Sequence, residues 1–297
     1  MCHTIAGVTI LPNEFNIQWN IGNTCNLDCG YCPSVLKDGQ AQFPTIQQFN
    51  AAIENIQSQT VEFDYVNIEL TGGEPTLSEA VRRRLVEPID KLKFRFHSNG
   101  TADINWWKQA LPNFDEITLS LHPHVDFEHI TSVMSVLHTQ CKLKVLLVMP
   151  TETFEIQQFK YNVLKDRFDV TPQMLYSNFT KGNNEYLNYT DAQWTWYFSE
   201  TGVNPNNSFD ISNTIEFKRL NKENIYKGNL CWAGHSQIII DSYGWAFRGW
   251  CKANTALGNV YDKTLLLDRK PRVCPKLICT NGFDLSAKKS QGSWGFS

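Results

Sequence analysis

The chain has 297 residues, 42% of them hydrophobic and 19% charged, and a formal net charge of −3. This make-up suits a soluble globular protein with one large domain and an appendage, or two domains, and it lacks the basic excess of a nucleic-acid binder. No run of about 18 apolar residues offers a membrane span, and Met1-Cys2-His3-Thr4 does not open a signal peptide.

Taken in chain order, Phe15–Ile21 alternates apolar and polar residues and predicts a strand that runs into Gly22 and a cysteine-bearing loop. Ile46, Phe49, Ile53 and Ile56 recur at helical spacing behind Thr45, a candidate N-cap. Tyr65–Leu70 predicts a second strand, closed by Thr71-Gly72-Gly73-Glu74-Pro75. Ser78–Asp90 predicts a helix interrupted late by Pro88, and Leu92–His97 a third strand closed by the turn Ser98-Asn99-Gly100-Thr101. A helix over Asp103–Leu111, a strand over Glu116–Leu121, a helix over Val125–Thr139 and an almost wholly apolar strand over Leu143–Met149 follow. A helix over Phe154–Phe168 and a sixth strand over Val170–Tyr176 complete the series. Strands alternating with helices imply right-handed βαβ units and a parallel sheet. Ligands of such sheets bind beyond the C-terminal strand ends. The cysteine loop, Gly72–Pro75 and Ser98–Thr101 all fall there.

Nine cysteines without a secretion signal argue for metal or redox use in a reducing cytoplasm and against a disulfide scaffold. Cys25, Cys29 and Cys32 stand at C-x3-C-x2-C spacing, with Gly30 and Tyr31 inside the run. Three thiolates in so short a loop can hold three irons of a 4Fe-4S cluster, which normally takes four cysteines, so one iron is left for a non-protein ligand. A zinc knuckle is the competing use of the same spacing.

This loop resembles that of the radical S-adenosylmethionine (radical SAM) family, in which the open iron takes the amino and carboxylate groups of SAM. The resemblance extends over residues of about 13–178. Thr71–Pro75 is similar to the family's GGE motif after the second strand, and Ser98–Thr101 to its TNGT-like segment, with Ser98 in place of threonine. The family implies a partial (β/α)6 TIM-like barrel of α/β class. It implies Gly72, Gly73 and Glu74 as seats of the methionine moiety, polar contacts from Ser98, Asn99 and Ser120, and Tyr31 near the adenine. His122 lies in the same rim region. The residues support this independently: two glycines admit close approach of a backbone, and a carboxylate suits an ammonium.

From Asn178 the composition turns to Asn, Tyr and Thr, and Asp191–Glu200 predicts a short aromatic helix. Residues 179–228 read as a bridging segment between a domain at 1–178 and a last module at 229–297. In that module Ser236–Asp241 and Trp245–Trp250 predict a hairpin about Tyr243-Gly244, with Cys231 and Cys251 at its outer ends. Cys274 and Cys279 follow a connector with a short helix expected over Asp262–Asp268. Four cysteines suit a complete 4Fe-4S cluster or a four-thiolate zinc site. The arrangement resembles the shortened auxiliary-cluster ("twitch") domain related to the SPASM domain. Its C-x4-C close, Cys274 to Cys279, departs from the tighter pairs of some relatives, which leaves a three-cysteine cluster open as an alternative.

The resemblance implies an oxidoreductase or modifying enzyme that uses SAM, a 4Fe-4S cluster on Cys25, Cys29 and Cys32, and a second, auxiliary cluster that accepts the substrate's electron. It implies an external one-electron reductant such as flavodoxin or ferredoxin, and a small-molecule or peptide substrate. About fourteen residues precede the first strand, too few for a peptide-recognising winged helix. A non-catalytic iron–sulfur or zinc protein, serving binding or electron transfer, explains both cysteine groups but not Gly72–Glu74.

Overall fold

Phe15, Ile17 and Trp19 alternate with Asn16 and Gln18 along the first strand, and all three are buried. This is strand β1, Glu14–Asn20, in a computed structural model that describes residues 3–5, 8–10, 13–178, 183–202, 225–279 and 281–290. Trp19 stacks on Phe49 of helix α1, Ile46–Gln59, with centroids 5.2 Å apart. Thr45 begins that helix with a capping box closed by Gln48, which satisfies two otherwise unpaired backbone donors. Then follow β2 (Tyr65–Thr71), α2 (Glu79–Arg84), β3 (Leu92–Ser98), α3 (Ile104–Ala110), β4 (Phe114–Leu121), α4 (Phe127–Leu137), β5 (Lys142–Met149), α5 (Phe154–Leu164) and β6 (Val170–Met174).

Strands β1 to β6 lie in sequential order, each parallel to the next. Right-handed crossovers between sequential neighbours put every connecting helix on one face. That face is apolar: Ile68, Leu70, Phe94, Phe96, Leu119 and Leu147 are fully buried on it. The alternate residues, among them Gln18, Glu69, Arg95 and Ser120, project from the other face and are half-buried.

The C-terminal hairpin does not stand apart from this sheet. Strand β7, Gln237–Ile240, pairs parallel with β1, from Gln237 opposite Asn16 to Ile240 opposite Trp19. Strands β8 (Trp245–Phe247) and β9 (Gly258–Asn259) extend the same edge antiparallel. The sheet has nine strands, mostly parallel. Leu230–Cys231, Arg272–Val273 and Lys289–Ser290 form a separate small antiparallel sheet.

Several elements differ from expectation. The helix expected over Ser78–Asp90 ends at Arg84, because Pro88 bars a helical predecessor and Asn113 claims the following backbone. Its side chain donates to the Leu85 and Glu87 carbonyls at 2.7 and 3.1 Å. The sixth strand stops at Met174, and Tyr176–Asn178 pairs instead with Asn183–Tyr186. Pro172, without an N–H, sits within β6 at the sheet edge, where a missing donor is tolerated. Asp262–Asp268 is not helical: Leu265 and Leu267 are buried and Leu266 exposed, an extended period, with Leu266 N–H donating to Leu257 O at 2.8 Å. Cys2 and residues 203–224 of the expected bridging segment lie outside the described residues. Among the described residues no helix is long and apolar enough to cross a membrane.

Because β7 is buried against β1, Ile240→Ala should cost about 2–5 kcal/mol in one cooperative urea transition. Ile225→Ala, at a 60% exposed position, should change stability by less than about 0.5 kcal/mol.

Candidate functional site

The loops that leave β1, β2, β3 and β4 at their C-terminal ends meet on one rim. Two of them meet backbone to backbone. Gly73 N–H donates to Gly22 O at 2.9 Å and Glu74 N–H to Thr24 O at 2.8 Å. A Cβ on Gly72 would stand 2.2 Å from Gly22 O, and one on Gly73 2.1 Å from Thr24 O. Gly72 also has φ +131°, open only to glycine. The close approach expected of these glycines is therefore made by the loop that carries the cysteines.

Cys25, Cys29 and Cys32 are free thiols in that loop. Cys32 N–H donates to Cys29 O at 3.1 Å, Leu27 N–H to Cys25 Sγ at 3.4 Å, and the Lys37 ammonium to Cys29 O at 2.8 Å. Burial pushes the Cys25 and Cys32 thiols above their ordinary pKa, and the nearby Cys29 side chain adds to both shifts. The Lys37 charge opposes the shift at Cys32, and a cationic metal centre would favour the thiolates far more strongly.

Glu74 is 1% exposed. Its Oε1 accepts from Thr76 N–H at 3.0 Å, Thr76 Oγ1 at 2.6 Å and Ser98 Oγ at 2.9 Å, and its Oε2 from Asn99 N–H at 2.7 Å. Desolvation nevertheless raises its pKa, with the hydrogen bonds from Asn99, Thr76 and Ser98 opposing. Asn99 Nδ2 donates to Asn26 Oδ1 at 2.9 Å, and Asn26 Nδ2 to Thr101 Oγ1 at 2.9 Å. The third loop thus grips both Glu74 and the cysteine loop. Asn26 was not singled out in the sequence. Its place inside the cysteine run was the available signal.

Tyr31 faces the rim end of β4. Its hydroxyl lies 2.7 Å from His122 Nδ1, and the two rings are nearly parallel, with centroids 5.9 Å apart. Cys29 Sγ is 3.6 Å from the same nitrogen. Burial first, then the charge of His124, pushes His122 down to about 4, so its ring is neutral at pH 7. Burial likewise raises the Tyr31 pKa. Ser120 lies on the polar face opposite Leu146 and makes no hydrogen bond to these loops among the described residues.

The second cysteine group is also drawn together. Cys231 and Cys274 interact electrostatically with Cys251, and Cys231 and Cys251 with Cys279, whose thiol burial pushes up to about 12. Asp284, absent from the expected set, receives Trp250 N–H at 2.8 Å and Cys251 N–H at 2.9 Å. Arg248 donates to Cys231 O at 3.2 Å and forms a buried ion pair with Asp268 at 3.0 Å. Among the described residues no three His, Cys, Asp or Glu side chains converge on a single metal ion. A cubane of four irons is a larger body, so its thiolates stand further apart than ligands of one ion. The thiol donors of both groups fit such a cluster, and four thiolates in the second group also suit zinc.

No family model matches the chain, and no curated protein does. Among solved structures, native anSMEcpe with bound AdoMet, an anaerobic sulfatase-maturating radical SAM enzyme, matches with TM-score 0.50 and 15% identity over 86% of this chain and 81% of that one. The hexahistidine-tagged form of that enzyme with bound AdoMet gives 0.48 and 17% over the same shares. HydG, a maturase of the FeFe hydrogenase, gives 0.35 and 13% over 63% of this chain and 49% of that one. What the first of these establishes is the fold: a mostly parallel α/β sheet of the type found in a radical SAM enzyme.

Two tests follow. Gly73→Ala should destabilise the cluster-free protein by about 1–3 kcal/mol, since only backbone can give way. Gly30→Ala, with open space around it, should be nearly silent in the same denaturant titration. In the unfolded chain His122 returns to about 6.5, so the unfolded state gains the proton first as pH falls. Its contribution is complete above pH 6.5 and lost towards pH 4, up to about 3 kcal/mol. His122→Gln should flatten that part of the stability–pH curve of the cluster-free protein.

Proposed function

We propose that the chain is a radical SAM enzyme with an auxiliary iron–sulfur group, built as a partial (β/α)6 barrel over residues 1–178, a bridging segment over 179–228 and a twitch-like module over 229–297. The observation that carries this reading is the docking of the three-thiol loop on Gly72-Gly73 beside the buried carboxylate of Glu74, at the C-terminal ends of parallel strands. Cys25, Cys29 and Cys32 would hold the first 4Fe-4S cluster, with one iron left for the amino and carboxylate groups of SAM. Such a cluster, reduced by flavodoxin or ferredoxin, would supply the one-electron reductive cleavage of SAM that initiates hydrogen abstraction from a substrate C–H.

The chain's own residues prepare that site. Glu74, with one donor on Oε2 against three on Oε1, keeps a lone pair for the SAM ammonium. Ser98 and Asn99 hold the carboxylate in place, and Ser120 offers a further polar contact from β4. Tyr31, locked by His122, presents an aromatic face for adenine. Cys231, Cys251, Cys274 and Cys279 would hold the second cluster, which would supply an electron acceptor for the oxidation. The outcome is a two-electron oxidation of a small molecule or a peptide in a reducing cytoplasm.

Anaerobic reconstitution and iron counting test this. The native protein should hold about eight irons, and the variant with Cys25, Cys29 and Cys32 all changed to alanine about four. Calorimetry should find SAM binding to the native protein alone. Iron without SAM affinity would leave a non-catalytic iron–sulfur or zinc protein.

A further inference from the structure

The polar face of the sheet bounds a cavity of about 660 Å3. Gln18, Glu69 and Arg95 line it from the strands, and Ser236, Phe283 and Lys288 from the C-terminal side. Its carboxylates are already served. Glu14, also in the lining, accepts from Asn67 Nδ2 at 3.0 Å. Glu69 Oε2 accepts from Gln18 Nε2 at 3.0 Å, and its Oε1 lies 2.7 Å from His97 Nε2. The guanidinium is not served. Arg95 acts on Glu69 only through its field, behind His97 and Gln18. Its side chain makes no hydrogen bond or ion pair with a described residue, and its Nε is closed off from water without a partner. The other cation, Lys288, stands over the Trp232 ring at 4.8 Å rather than against a carboxylate.

A guanidinium always carries its charge and offers five donors in a planar fork that matches a carboxylate or a phosphate. Left unpaired in a half-buried wall, it costs stability, which a bound anion offsets. Arg95 on β3 precedes Ser98, the last residue of that strand, by three residues, or about 10 Å at ~3.3 Å per residue. We propose that this cavity receives the substrate, that Arg95 anchors an anionic group of it, carboxylate or phosphate, and that the reacting C–H lies on the order of 10 Å away at the cysteine rim. The position of the reacting C–H rests on the radical SAM reading. The anion site does not.

The test titrates inorganic phosphate and succinate by calorimetry into reconstituted full-length protein, native, Arg95→Lys and Arg95→Gln, with SAM titrated into the same preparations. The native protein should bind one of the two anions, and which one distinguishes phosphate from carboxylate. Arg95→Gln should bind it about 10-fold or more weakly, with Arg95→Lys between. Without anion, Arg95→Gln should melt no lower than native, because it removes an unpaired charge. The inference is overturned if neither anion binds the native protein, if Arg95→Gln binds as native does, or if Arg95→Gln melts several degrees lower, which marks a structural arginine. Normal SAM binding beside absent anion binding removes this inference alone. Anion binding beside absent SAM binding removes the radical reading and leaves the anion site standing.

Discussion

One buried carboxylate holds the rim together. Glu74 reaches from the second loop to the third through Ser98 and Asn99, while its own backbone N–H is bonded to the cysteine loop at Thr24. Burying an ionised carboxylate is costly unless every nearby dipole is turned towards it. Four donors are turned towards this one. Loss of the Glu74 carboxylate would leave two loops with donors pointing at an empty place, while the backbone bond to Thr24 would remain. Positioning by such a hub is more exact than positioning by apolar contact, because hydrogen bonds fix direction as well as distance.

The same strands serve two incompatible purposes by alternation. Residues on one face meet helices and form a core of Trp19, Phe49, Phe94, Phe96 and Trp107. Residues on the other face are Asn16, Gln18, Asn67, Glu69, Arg95 and Glu116, most of them bonded to one another across the strands. A one-residue slip in any strand would exchange the two sets. The buried aromatic side fixes the register, and the polar side is carried in the right order with it.

What was legible in the sequence follows from range. Phe15–Ile21, Ile46–Ile56 and Leu92–His97 announce themselves by a period of two or of three to four, which depends only on near neighbours. Helix starts at Thr45 and Asp103 were visible as caps or first residues for the same reason. The cysteine run, Gly72–Glu74 and Ser98–Thr101 were legible because their chemistry is concentrated in a few adjacent residues. Three things were not. Gly72 and Gly73 lean on backbone about 50 residues earlier, which no local pattern encodes. The wholly apolar Ile238-Ile239-Ile240 gives no sign of which strand it joins. Asp284 binds Cys251 from a short helix that follows the last cysteine, and Asn26 looks like any loop asparagine until the third loop closes on it.

The attachment of β7 to β1 then fixes how the two cysteine groups are related. β1 runs towards Cys25, and β7 runs beside it in the same direction. Cys231 precedes β7 and so lies by the N-terminal ends of the strands. Strand β8 returns antiparallel and carries the chain back towards Cys251 on that same side. The two groups are separated by roughly the length of β1, seven residues or about 23 Å. Between them lies the polar face, crossed by a bonded row. The Trp250 indole, next to Cys251, donates to Gln18. Gln18 bonds Glu69, and Glu69 pairs with His97 just below Ser98. On the proposed reading, a substrate seated on Arg95 beside this row would stand between the rim that would take its hydrogen and the group that would take its electron. The extension of the sheet by β7 thus sets the spacing of the two cysteine groups, which the proposed two-centre oxidation would use, and the polar face lies in between.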